Sequence, residues 1–189
     1  MAAKKLKQLA FVFDTETTGL VNNRIIKINR QAEVIEFYGN LIDLSSGKIN
    51  KVYHTLIRPT VEFPMSDYTI KTTHTKLTNK MLEDAPTFNK VADDIREFIE
   101  AAPMIIAHNL SFDMEIVDIE FERLKGQLNW PLRRVCTVEA TLFLNGFRLS
   151  LTKLHQLLFG EEFENAHRAG SDVTALNRCA VELYRRDLI

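Results

Sequence analysis

The spacing of apolar residues changes near Thr87, and that change restricts the fold more than any other feature of the chain. In the first third, apolar and β-branched residues run or alternate through "LAFVF", "AEVIEFYGNLIDL" and "NKVYHTLIRP", as strands require. The "SSGK" from Ser45 to Lys48 supplies a turn between the last two, so three antiparallel strands are expected. Beyond Thr87, Val91, Ile95, Phe98 and Ile99 follow i, i+4, i+7 and i+8, which predicts a helix with one buried stripe. "PMIIAHN" then predicts a short buried strand, and "LSFDMEIVDIEFERL" a helix with Phe112, Ile116 and Ile119 on one side. "RRVCTV" reads as a last strand and "SLTKLHQLLFG" as a helix closed by Gly160. A final amphipathic helix carries Val173, Leu176, Ala180 and Leu183. Antiparallel strands followed by alternating helices and strands predict an α/β fold. Its sheet is mixed and five-stranded, three antiparallel strands and then two parallel, with helices on its flanks. The 189 residues, 1–189, fit one domain, and no repeat, low-complexity tract or linker divides them.

The first strand ends unusually, in "FVFDTETTGL". Side chains on a strand alternate, so Asp14 and Glu16 face the same way with Cα atoms about 6–7 Å apart. Two carboxylates that close resist ionising together unless a cation compensates them. Taken alone, such a pair is either a solvated strand end or half of a metal site. The continuous apolar run before it predicts a strand buried on both faces, where uncompensated acids are costly. Thr17, Thr18 and Gly19 read as a turn with a residue free to adopt unusual dihedrals.

Two further acids sit where they could complete a metal site. In "AHNLSFDMEI", Asp113 lies in the first turn of a helix, with Ile116 and Val117 on the same side, so it is expected to face inward. The alternative is an acid favoured by the helix N-terminus. In "AHRAGSDVTAL", Asp172 shares a helical stripe with Leu176, Cys179 and Leu183, and His167 precedes that helix. On its own, a histidine in the place of His167 is more often a surface or capping residue, and only the combination with the acids points to chemistry.

The stretches "FDTETTG", "HNLSFD" and "HRAGSD", in that order and at those separations, resemble the three motifs of the DEDDh exonucleases. That superfamily of proofreading 3′–5′ exonucleases has a ribonuclease H-like fold, and the resemblance runs from about Leu9 to Leu183. It implies that Asp14, Glu16, Asp113 and Asp172 bind two divalent cations, Mg²⁺ or Mn²⁺, and that His167 is the general base for the attacking water. It also implies contacts between the terminal nucleotide and Thr17, Thr18 and Leu20, with His74 near the terminal sugar. Phe112 stacks on a base or packs in the core. The residues after His167 depart from the family pattern, since Arg168, Ala169 and Gly170 stand where an acidic or small residue and then an aliphatic one are common.

The activity implied is release of nucleoside 5′-monophosphates from single-stranded or frayed DNA 3′ ends, with RNA 3′ ends as the alternative substrate. A DNA polymerase or repair protein is the partner that resemblance suggests, although no polymerase-binding tail is expected after the last helix. The net charge of −1 argues against coating nucleic acid by bulk electrostatics, though not against gripping a strand end. Basic residues cluster at Lys4, Lys5 and Lys7, at Arg24, Lys27 and Arg30, and at Arg133 and Arg134, as solvated faces or local contacts. No apolar run reaches the roughly 20 residues that span a bilayer, and a cytoplasmic protein without membrane contact is expected. Cys136 and Cys179 lack metal-ligand spacing and are expected to be free and buried.

Overall fold

The computed structural model describes residues 8–22, 27–73, 75–163 and 168–189. Five strands form one sheet: β1 (Leu9–Thr17), β2 (Val34–Asp43), β3 (Lys48–Leu56), β4 (Met104–Ala107) and β5 (Arg133–Cys136). Their order is β3-β2-β1-β4-β5. β1 pairs antiparallel with β2, and β2 antiparallel with β3. β4 lies parallel to β1 and β5 parallel to β4, as expected from the sequence. The eight α-helices among the described residues are α1 (Asp67–Thr72), α2 (Asn79–Leu82), α3 (Phe88–Glu100), α4 (Leu110–Arg123), α5 (Thr137–Ala140), α6 (Leu142–Asn145), α7 (Leu151–Phe159) and α8 (Ala169–Arg185), and a single 3-10 turn spans Ile28–Arg30.

The parallel pairs need crossovers, and helices supply them: α1 to α3 lie between β3 and β4, and α4 between β4 and β5. Alternation along β1 sends its side chains to opposite layers. Phe11 and Phe13 join a core with Val91, Ile95 and Ile99 of α3 and with Ile116, Val117 and Phe121 of α4. Ala10 and Val12 join a second core with Leu154 of α7 and Val173, Leu176 and Ala180 of α8. The continuous apolar "LAFVF" is thereby explained, since β1 is buried on both sides. Close packing also requires Gly39 in β2, where a Cβ would run into the ring of Phe11.

Local signals hold at some helix ends. Ser150 caps α7 by accepting a hydrogen bond from the Lys153 N–H, and Gly160 closes that helix at φ 76°. The stripe of α4 differs from expectation. Its buried residues are Leu110, Asp113, Ile116, Val117, Glu120 and Phe121, whereas Phe112 and Ile119 are half-buried. Two acids thus occupy the buried face of α4: Asp113, as its spacing from Ile116 and Val117 predicts, and Glu120, which apolar spacing does not show. Gly19 has no positive φ, so the turn after β1 does not use glycine's conformational freedom. Cys179 is buried and Cys136 half-buried, and both are free.

Candidate active site

Asp14 and Glu16 lie on β1 beyond its pairing with β4, which involves Phe11 and Val12. They share a face with Ala10 and Val12, the side on which α8 packs. Asp172 arrives there from the first turn of α8. One carboxylate oxygen from each of Asp14, Glu16 and Asp172 lies within 4.8 Å of the others. Asp113 is 3% exposed, and its Oδ1 accepts hydrogen bonds from the Thr15 N–H at 3.1 Å and the Thr15 hydroxyl at 2.8 Å. Thr15, between the two strand acids, therefore ties the first turn of α4 to β1.

The four acids gather charge in a partly desolvated corner, with Asp113 buried and Asp14, Glu16 and Asp172 half-buried. Burial raises the Asp14 carboxyl well above its ordinary value, followed by repulsion from Asp113, Asp172, Glu16 and Glu36. Burial and then Asp172 and Glu36 push Glu16 up to about 7, against the opposing pull of Arg168. Burial also lifts Asp113 to about 7 although the Thr15 hydrogen bonds work against it. A cation among these oxygens would relieve the repulsion, and an all-carboxylate donor set suits a hard divalent ion. The residues thus fit the group that the fold family implies.

Beside this cluster sits an ion-pair network that apolar spacing and motifs did not reveal. Glu36 lies opposite Glu16 in the β1–β2 register and is 1% exposed. Its two oxygens accept from Nε and Nη2 of Arg168, each at 3.1 Å, and Oε1 also lies 2.8 Å from Nε2 of His54. The Ala169 N–H donates to Oε2 at 3.3 Å. Burial pushes the Glu36 carboxyl up, but the Arg168 and His54 hydrogen bonds outweigh it and hold it below its ordinary value. An acid inside the apolar "AEVIEFYG" was the available signal. Next to the pair, a cleft of about 530 Å³ is lined in part by Tyr38, His54, Lys76, His155, Arg168 and Arg178.

The other expected residues are placed as follows. The Thr17 hydroxyl donates to the Gly19 carbonyl at 2.7 Å, and the Thr18 hydroxyl accepts from the Glu33 N–H at 2.9 Å. Leu20 is 81% exposed, and Phe112 is half-buried next to Asp113. His74 and His167 lie outside the described residues. His108, in the "HN" of the second motif, serves the fold: Nε2 donates to the Leu149 carbonyl at 3.1 Å and Nδ1 accepts from the Thr137 hydroxyl at 2.9 Å. Burial, the largest cause, lowers it to about 4, so the ring is neutral and joins the end of β4 to the segments before α7.

A mixed sheet between helices, with clustered acids at the end of its central strand, defines a metal-dependent nuclease class. The family model described as "Exonuclease" matches residues 11–179. A 3′–5′ exonuclease DinG of Staphylococcus epidermidis is 32% identical over 186 residues, covering 93% of this chain and 18% of that protein. A DNA polymerase III PolC-type protein of the same species is 36% identical over 122 residues, covering 64% of this chain and 8% of that protein. This chain therefore spans less than a fifth of either relative. The nuclease domain of 3′hExo, a DEDDh family member solved with rAMP, superposes with a TM-score of 0.75 at 16% identity, covering 97% of this chain and 95% of that one. The chain belongs to the DnaQ-like 3′–5′ exonuclease family and has its ribonuclease H-like fold.

Proposed function

We propose that residues 1–189 act as one exonuclease domain that removes nucleotides from the 3′ ends of DNA and releases nucleoside 5′-monophosphates. The meeting of Asp14, Glu16 and Asp172 oxygens within 4.8 Å carries this reading, with buried Asp113 alongside. These four acids would hold two divalent cations, Mg²⁺ or Mn²⁺. When bound, the cations polarise the phosphodiester and offset charge on the departing oxygen. His167 takes the proton of the attacking water, a role suited to an imidazole that is largely neutral near physiological pH. Thr17, Thr18, Leu20, His74 and Phe112 contact the terminal nucleotide. The cationic side chains lining the adjacent cleft favour a polyanionic strand, and the PolC-type relative, by its name a DNA polymerase, favours DNA.

RNA is the second reading, supported by rAMP in the 3′hExo structure. A polymerase or repair assembly is the proposed setting. The test is a panel of 5′-labelled single-stranded DNA and RNA of one sequence, each with a free or phosphorylated 3′ end. DNA with a free 3′ end should shorten stepwise, and the blocked strand and a circular strand should persist. Faster loss of RNA would assign the second reading, whereas cutting of circles would overturn an exonuclease altogether.

A further inference from the structure

We infer that the Glu36–Arg168 pair is a latch that positions the start of α8, and with it Asp172, against Asp14 and Glu16. The inference rests on the exonuclease reading for its kinetic consequences but not for its structural ones. Arg168 is the N-cap residue of α8, yet no side-chain cap bond is made there. Among the described residues, this helix end is held by the fork of Arg168 on a carboxylate of β2, joined by the Ala169 N–H. Two parallel N–H···O bonds fix orientation as well as distance, which a single lysine contact could not do. Asp172 lies four residues on, one turn along the same face of α8, so a rotation or slide of the helix end would carry its carboxylate with it. Glu36 is an effective anchor because it is 1% exposed and faces Glu16 across the strand pair. His54 occupies its remaining acceptor capacity from β3. The latch thus spans β3, β2 and α8, and sets the distance between a helix-borne ligand and two strand-borne ones. Gly170, packed against the Tyr38 ring, leaves room for that close approach, since a Cβ there would come within 3.2 Å of the ring.

The test compares wild type with Arg168→Ala, Arg168→Lys and Glu36→Gln, all first checked by circular dichroism. A positioning role predicts that Arg168→Ala binds Mn²⁺ more weakly by calorimetry, with no nucleic acid present. It also predicts a fall in kcat of about 10²-fold, as a misplacement of about 1 Å can produce, with KM for an oligonucleotide little changed. Millimolar guanidinium, too dilute to unfold the protein, should restore much of both in Arg168→Ala, while urea at the same concentration should not. Arg168→Lys should remain impaired, because it cannot form the fork. Should Glu36→Gln fail to fold, Arg168→Ala with guanidinium still decides. Wild-type Mn²⁺ affinity in folded Arg168→Ala would overturn the latch, and so would a raised KM with unchanged kcat, which would mark Arg168 as a phosphate contact. An inactive wild type would instead defeat the exonuclease reading and leave the calorimetric comparison intact.

Discussion

Asp14 is repelled by every other acid of the cluster, so its removal should separate function from stability. Asp14→Asn should lower turnover at least about 10³-fold, roughly 4 kcal/mol of barrier. In EDTA the same variant should melt higher than wild type: relief of about 1 kcal/mol of repulsion corresponds to about 2–4 °C for a chain of this size. Mg²⁺ should raise the melting temperature of wild type far more than that of the variant. Full activity in Asp14→Asn would overturn the proposed site. For His167 the expectation is kinetic. His167→Ala should lower kcat about 10²–10⁴-fold while divalent-ion affinity stays close to wild type. The rise of the wild-type rate through a group near the ordinary histidine value of about 6.5 should vanish in the variant, as a pH profile at saturating Mg²⁺ would reveal. The acids were legible because strand and helix periods put them on inward faces in the sequence itself. Thr15, Glu36 and His54 were not, because what each does depends on a partner well away in the chain: Asp113, Arg168 and Glu36 respectively.

Helix α4 illustrates how an element can be recognised while its facing is misjudged. Its length and period were plain, but the buried stripe includes Glu120 where the sequence pointed to Ile119. Glu120 accepts from the Val34 N–H at 2.8 Å and pairs with Arg123 at 3.0 Å, and both side chains are nearly buried. Arg123 Nη2 also donates to the Gln31 and Ala32 carbonyls at 2.7 and 2.9 Å. Together they fasten the end of α4 to the segment that enters β2. Removing the cation alone strands a buried carboxylate, so Arg123→Met should destabilise the protein by about 3–5 kcal/mol in urea unfolding. The double variant Arg123→Met, Glu120→Gln keeps an acceptor for the Val34 N–H and removes the charge, and it should recover part of that loss. Equal stability of the single variant and wild type would show the pair to be dispensable.

The whole molecule packs helices on both faces of one sheet and concentrates acids at one point on it. Among the described residues no helix is long and apolar enough to cross a membrane. The acid cluster makes the stability of the metal-free protein depend on pH in a defined direction. Glu16 and Asp113 titrate near 7 when folded, above their ordinary values of 4.5 and 3.8, so the folded state binds their protons more tightly than the unfolded chain. Stability should therefore increase as pH falls from about 8 to about 5.5. Glu36, held below its ordinary 4.5, has the opposite sign, but its contribution is lost only in more acid solution. Melting curves in EDTA across this range check the sign, and a flat or inverted trend would contradict the clustering of the acids. Saturating Mg²⁺ should abolish the effect by holding the carboxylates ionised.

Apart from the short helices α1, α2, α5 and α6, which carry too few turns for a period to show, the sequence by itself determined the strands and helices, the doubly buried first strand and the inward acids on β1, α4 and α8. These follow from periodicity and from motifs whose spacing is local or fixed in order. Only the tertiary structure decided that Glu36 would meet Arg168 across 132 positions, that Thr15 would hold Asp113, and that α4 would turn Glu120 inward. Such pairings depend on how strands register and how helices rotate against the sheet. Buried charges are tolerated only where those rotations bring a partner within hydrogen-bonding reach, and no stretch of sequence read alone contains that distance.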